Sequence, residues 1–191
     1  MAYRRTPFAV HEWYHLYSQG IDKRNIFLDK NDFKRFQALL YLTNNVEPVN
    51  KDGGITSFMR KLGTAYTMYF DRKYNRIGNL LVKPFRSKHI EDDRYLGRVV
   101  QYVHLNPAQV LEHGWKKGRV RNIRALEECL LDYTFSSLPD YFGNKRPECS
   151  IIDNDAYDLL SDGLPKFRDV LDEATVYYSE IESEFISHSV Q

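Results

Sequence analysis

The segment from Ile55 to Phe70 constrains the fold more than any other part of the chain. Ile55, Phe58, Met59, Leu62, Ala65, Tyr66, Tyr69 and Phe70 recur at three- and four-residue spacing, the signature of one helix face. A helix with so wide an apolar stripe must bury it against other elements, so the chain is predicted to fold around it. Upstream, residues 13–19 alternate as a strand that Gly20-Ile21-Asp22 ends. Asp29 is placed to cap a helix over about 31–42, with Phe33, Phe36 and Leu40 on its inner face. Residues 44–54 read as a polar connection holding Pro48 and Gly53-Gly54.

Downstream, residues 80–90 read as an extended, basic strand region broken at Pro84. Glu91-Asp92-Asp93 opens a helix over about 94–106, which Pro107 closes. Leu96, Val99, Val100 and Val103 form its expected buried stripe, with Tyr102 at the edge and its hydroxyl within reach of solvent. The stretch beyond reads as irregular, and 141–150 as a loop. Two C-terminal helices are then expected, the second carrying Phe167, Val170, Leu171, Ala174, Tyr178, Ile181 and Phe185 on one face. They are read as core rather than as a docking surface.

Charge is unevenly placed. Between Ser57 and Ile90 the cations Arg60, Lys61, Arg72, Lys73, Arg76, Lys83, Arg86 and Lys88 face Asp71 alone, interleaved with Tyr66, Tyr69, Tyr74 and Phe85. From Pro147 onward eleven carboxylates face only Lys166 and Arg168. A basic, aromatic centre beside an acidic tail suits an anionic partner, nucleic acid first. Cys129 and Cys149 give neither a disulfide framework nor metal-ligand spacing. No signal peptide and no membrane-length apolar run is read, so a cytoplasmic location and no membrane partner are expected.

Two motifs touch on chemistry. His11-Glu12-Trp13-Tyr14-His15 matches the H-E-x-x-H zinc pattern, which requires a helix, whereas this segment alternates as a strand. Tyr102-Val103-His104-Leu105-Asn106-Pro107 puts Tyr102 and Asn106 one helical turn apart, on a flank shared with Tyr95 and Arg98. By residue type alone, Tyr102 is also a good half-buried packing residue.

Several segments in order resemble the REP-associated branch of the single-tyrosine, HUH-type DNA transposases. They are Tyr14-His15-Leu16-Tyr17 with Gly20, Ile26-Phe27-Leu28-Asp29, and the run from Phe58-Met59-Arg60-Lys61-Leu62-Gly63 through Thr64-Ala65-Tyr66-Thr67-Met68-Tyr69-Phe70. Lys73-Tyr74-Asn75-Arg76-Ile77-Gly78, Phe85-Arg86-Ser87-Lys88, the Tyr102 motif and Ser136-Ser137-Leu138-Pro139-Asp140-Tyr141 follow. The resemblance implies an α+β fold: a ferredoxin-like HUH transposase domain over 1–148, an antiparallel sheet with packed helices. An acidic helical extension is expected over 149–191. It implies Tyr102 as the nucleophile on single-stranded or hairpin DNA, through a 5′-phosphotyrosine intermediate. Asn106 is implied as a ligand to a divalent metal, magnesium or manganese; the eight cations, from their clustering, are the expected DNA-binding set. A metal is chemically apt, because a phenol near pKa 10 is a weak nucleophile.

The family's histidine-hydrophobic-histidine strand hairpin belongs between the first helix and the Phe58 helix. Here only 44–54 stand there, without histidine, and the seam lies near Asn50-Lys51. The sheet is therefore expected to be incomplete. Three readings stay open: a metal-dependent nuclease and strand transferase, a remnant that binds DNA hairpins without cutting, and a partner-binding protein using the acidic helices. Monomer and homodimer are both compatible with the sequence.

Overall fold

The apolar stripe of the Ile55–Phe70 segment does form a helix, α2, over Gly54–Lys73 in a computed structural model. The structure describes residues 8–46, 53–115, 120–142, 146–154 and 169. The chain divides into two compact units, Met1–Glu91 and Asp92–Gln191. It is an α+β protein: several helices and, among the described residues, one two-stranded antiparallel sheet.

In the first unit β1 (Trp13–Tyr17) pairs with β2 (Arg86–Ile90), in the register Trp13–Ile90, His15–Lys88 and Tyr17–Arg86. The pairing continues as a bridge between Gly20 and Leu81, flanked by Val82 N donating to Gln19 O at 2.8 Å. Gly20 is required there, since a Cβ would lie 2.3 Å from the Arg24 carbonyl oxygen. Between the strands run α1 (Lys30–Val46) and α2. Leu39 of α1, Leu62, Tyr66 and Phe70 of α2, and Leu80 are buried together, each fully buried side chain contributing about 2 kcal/mol or more. Phe27 and Phe36 extend this cluster edge-to-face, with ring centroids 5.3 Å apart.

One carboxylate ties the two helices. Asp32, fully buried, accepts from Leu28 N (2.8 Å), the Tyr69 hydroxyl (3.0 Å), Lys73 Nζ (2.7 Å) and the Tyr74 hydroxyl (2.7 Å). Burial alone would raise its pKa; the bonds from Lys73, the Leu28 amide, Tyr74 and Tyr69 outweigh burial and hold it well below the carboxylate range. Asp29 caps α1 as expected, accepting from Asn31 N and Asp32 N, and its other oxygen meets Lys73 Nζ at 2.7 Å.

The second unit opens with α3 (Asp93–Leu105), capped by Asp92 through Tyr95 N at 2.6 Å. Next come α4 (Ala108–Leu111), α5 (Ile123–Leu131, capped by Asn122) and α6 (Leu138–Tyr141). Leu105, Ala108, Trp115, Leu126, Leu130 and Leu138 form its core.

Three expectations change. The stretch beyond Pro107 is helical rather than irregular, because Ile123, Leu126 and Leu130 make an apolar stripe behind the Asn122 cap. Val103 is 44% exposed, not part of a buried stripe. At the C-terminal turn of α3, Tyr102 and Leu105 pack on the core from another side and His104 bonds to Ser137, which leaves Val103 facing solvent. The helix expected to end near Leu42 runs on to Val46. The Asn50-Lys51 seam and the amphipathic face from Phe167 to Phe185 lie outside the described residues. The 148/149 boundary has only 149–154 and 169 described beyond it, including a 3₁₀ turn at Pro147–Ile151. No helix of the described residues is long and apolar enough to cross a membrane.

Candidate nucleic-acid interface

Alternate residues of a strand share a face, and directly paired residues lie on the same face. Trp13, His15 and Tyr17 of β1 therefore share one face with Ile90, Lys88 and Arg86 of β2. Ile90 is buried at one end, but Trp13 and Tyr17 are 41% and 43% exposed, and Arg86 and Lys88 are exposed. The face thus presents two aromatic rings and two cations in register. His15 lies between them, its ring 5.3 Å from that of Tyr17. Burial first, and the Lys88 charge second, push the His15 pKa down. Trp13 and Tyr17 were not among the expected site residues. Their neighbours on β2 lie some seventy positions away in sequence, and only the strand register joins them.

The remaining cations divide by their partners. Arg60 and Arg72 are exposed on α2, Lys61 is half-buried on it, and Lys83 is exposed before β2. Lys73 is held between Asp29 and Asp32, which raise its pKa against the opposing effect of burial. Arg76 pairs with Asp71 at 3.0 Å, its guanidinium 5.8 Å from the Phe70 ring centroid. Lys73 and Arg76, two of the expected phosphate contacts, are therefore engaged in the frame of the first unit.

The H-E-x-x-H segment forms no zinc-binding helix. His15 lies on β1, His11 sits in a turn with φ 64°, and Glu12 instead meets His89 Nε2 at 2.8 Å.

Tyr102 lies on α3 of the second unit, half-buried against the Leu105–Trp115–Leu126 core. On its flank the Arg98 guanidinium lies 6.0 Å from the Tyr95 ring centroid. Asn106 is the exposed C-cap of α3. The histidine of the same motif points inward: His104 is buried, and its Nε2 meets Ser137 Oγ at 2.7 Å. Burial pushes its pKa down to about 4, against the raising effects of a bond to the Val100 carbonyl and of the Asp140 charge. Asp140, also buried, is paired with Arg146 at 2.9 and 2.6 Å, and Arg146 reaches on to the Thr134 and Ser136 carbonyls. The Tyr102 and Ser136–Tyr141 motifs thus hold one polar network inside the second unit.

Magnesium and manganese take about six oxygen or nitrogen donors. Asn106 offers one neutral oxygen, and His104 is committed to Ser137. Among the described residues no three His, Cys, Asp or Glu side chains come together. The described residues do not fit a resident divalent metal. The free thiols Cys129 and Cys149 likewise form no disulfide. No family model, curated protein or solved structure matches the chain.

Proposed function

We propose that this chain is a DNA-binding protein of the single-tyrosine transposase type, which holds single-stranded or hairpin DNA without cutting it. The observation that carries the reading is the β1–β2 face, where exposed Trp13 and Tyr17 stand beside Arg86 and Lys88. Bases of any sequence stack on aromatic rings, and phosphates pair with the flanking cations. Arg60, Arg72 and Lys83 add exposed positive charge to the same unit. The sequence resemblance supports the ligand class. Against cutting stands the poor fit of Asn106 and its described neighbours to a metal.

The test is fluorescence anisotropy with a labelled DNA hairpin bearing a single-stranded flank, titrated over a range of potassium chloride. Affinity should fall linearly with salt on logarithmic axes. The double substitution Arg86→Ala, Lys88→Ala should reduce that slope by about 1.4, at about 0.7 per single-strand phosphate contact. Tyr17→Ala should weaken binding by about 1–3 kcal/mol with little change of slope. Binding that ignores salt and all three side chains would refute the proposal.

A further inference from the structure

The first unit contains a cavity of about 580 Å³ between α1, α2, the end of β1 and residues 81–85, a size within the range of small-molecule sites. Its walls are almost wholly apolar, with Phe27, Phe36, Phe58, Leu62 and Leu81 among them. Among the described lining side chains only Arg60 and Lys83 carry charge, and both are exposed cations.

Gly63 supplies a second observation. It occupies the interior of α2, where glycine is disfavoured relative to alanine. Backbone conformation does not demand it, and an added Cβ would meet only Leu81 Cδ1, at an ordinary 3.6 Å. Gly63 lines the cavity, so a larger side chain there would project into the space rather than into a wall of packed atoms.

We infer that this cavity binds an anionic amphiphile with one acyl chain, the chain among the phenylalanines and the carboxylate or phosphate head at Arg60 and Lys83. An apolar cavity gains by taking up hydrocarbon, and two cations at its rim favour an anionic head. A nucleobase suits it less. Its hydrogen-bonding edge would meet only a few hydroxyls, such as Thr64 and Thr67, leaving several polar atoms buried without partners. The inference does not rest on the DNA reading, which is carried by the strand face, although Tyr17, Arg60 and Lys83 belong to both.

Calorimetric titration of the full chain with tetradecanoate below its micelle concentration tests it, beside tetradecanol and thymidine 5′-phosphate. Tetradecanoate should bind at one equivalent. The double substitution Arg60→Ala, Lys83→Ala, at exposed positions, should weaken it about tenfold or more and leave tetradecanol binding unchanged. Gly63→Leu should abolish binding of both without lowering the thermal midpoint. Failure of tetradecanoate to bind the wild type, equal binding to Gly63→Leu, or thymidine 5′-phosphate binding in its place would overturn the inference.

Discussion

Burial of His104 makes the second unit acid-sensitive in a definable window. The unfolded chain takes a proton on this ring near 6.5, the folded chain only near 4. Above 6.5 both states are neutral and the full stability is present. As pH falls from 6.5 to 4 the unfolded state gains a proton that the native state refuses, so stability drops. Near pH 5 the slope is about 1 kcal/mol per pH unit, and the total loss is about 3 kcal/mol. That is a large share of the stability of a domain, which is about 5–15 kcal/mol. Asp32 acts in a different window. Its pKa is depressed, so its contribution is present above about 4, the ordinary carboxylate value, and is lost only below it.

Urea unfolding at pH 7, 6, 5 and 4.5, followed by tryptophan fluorescence, reads the effect. Trp115 is fully buried in the second-unit core, whereas Trp13 is already 41% exposed, so the signal change comes mainly from the second unit. His104→Gln keeps an acceptor for the Ser137 hydroxyl but cannot titrate. It should lower stability at pH 7 by about 1–2 kcal/mol and flatten the slope between pH 6.5 and 4.5. His15, whose pKa is also lowered, acts in the same direction from the first unit and survives this substitution. Wild-type stability that stays level down to pH 4.5, or a slope equally steep in His104→Gln, would show that the ring does not refuse its proton.

Asp32→Ala removes the acceptor shared by Tyr69, Tyr74 and Lys73 and should cost about 3 kcal/mol or more, read as a lower thermal midpoint; an unchanged midpoint would contradict its role as the tie between α1 and α2. Gly63→Ala should raise stability by about 0.5–1 kcal/mol, because its Cβ finds room, and a destabilised variant would mean the helix is tighter there than 3.6 Å implies. Incubation with labelled hairpin DNA and manganese should give no covalent adduct that survives denaturant, and Tyr102→Phe should leave DNA affinity unchanged. A denaturant-resistant adduct from the wild-type chain would overturn the non-cutting reading.

What the sequence disclosed and what it hid follow from the range of each interaction. The α2 stripe, the Asp29 and Asp92 caps and the two strands rest on neighbours within a few residues, and each is visible as spacing. Helix α5 rests on equally local signals, Ile123, Leu126 and Leu130 behind the Asn122 cap. The site was harder because charge alone does not say which cations are spent. Lys73 and Arg76 stand in the same basic run as Arg72, yet Asp29, forty-four residues upstream, holds one and Asp71, five residues upstream, holds the other. The Tyr102 motif shows the same limit from inside a helix. Local phase put Tyr102 at the edge of a valine stripe, but α5 and α6 approach α3 from the Leu105 side and turn His104 inward to Ser137. A short motif therefore specifies which side chains share a turn, and only the elements packed upon it decide which of them face water. For this chain that decision moves weight from the helix tyrosine to the strand face, where Trp13 and Tyr17 meet Lys88 and Arg86 through a register no sequence window spans.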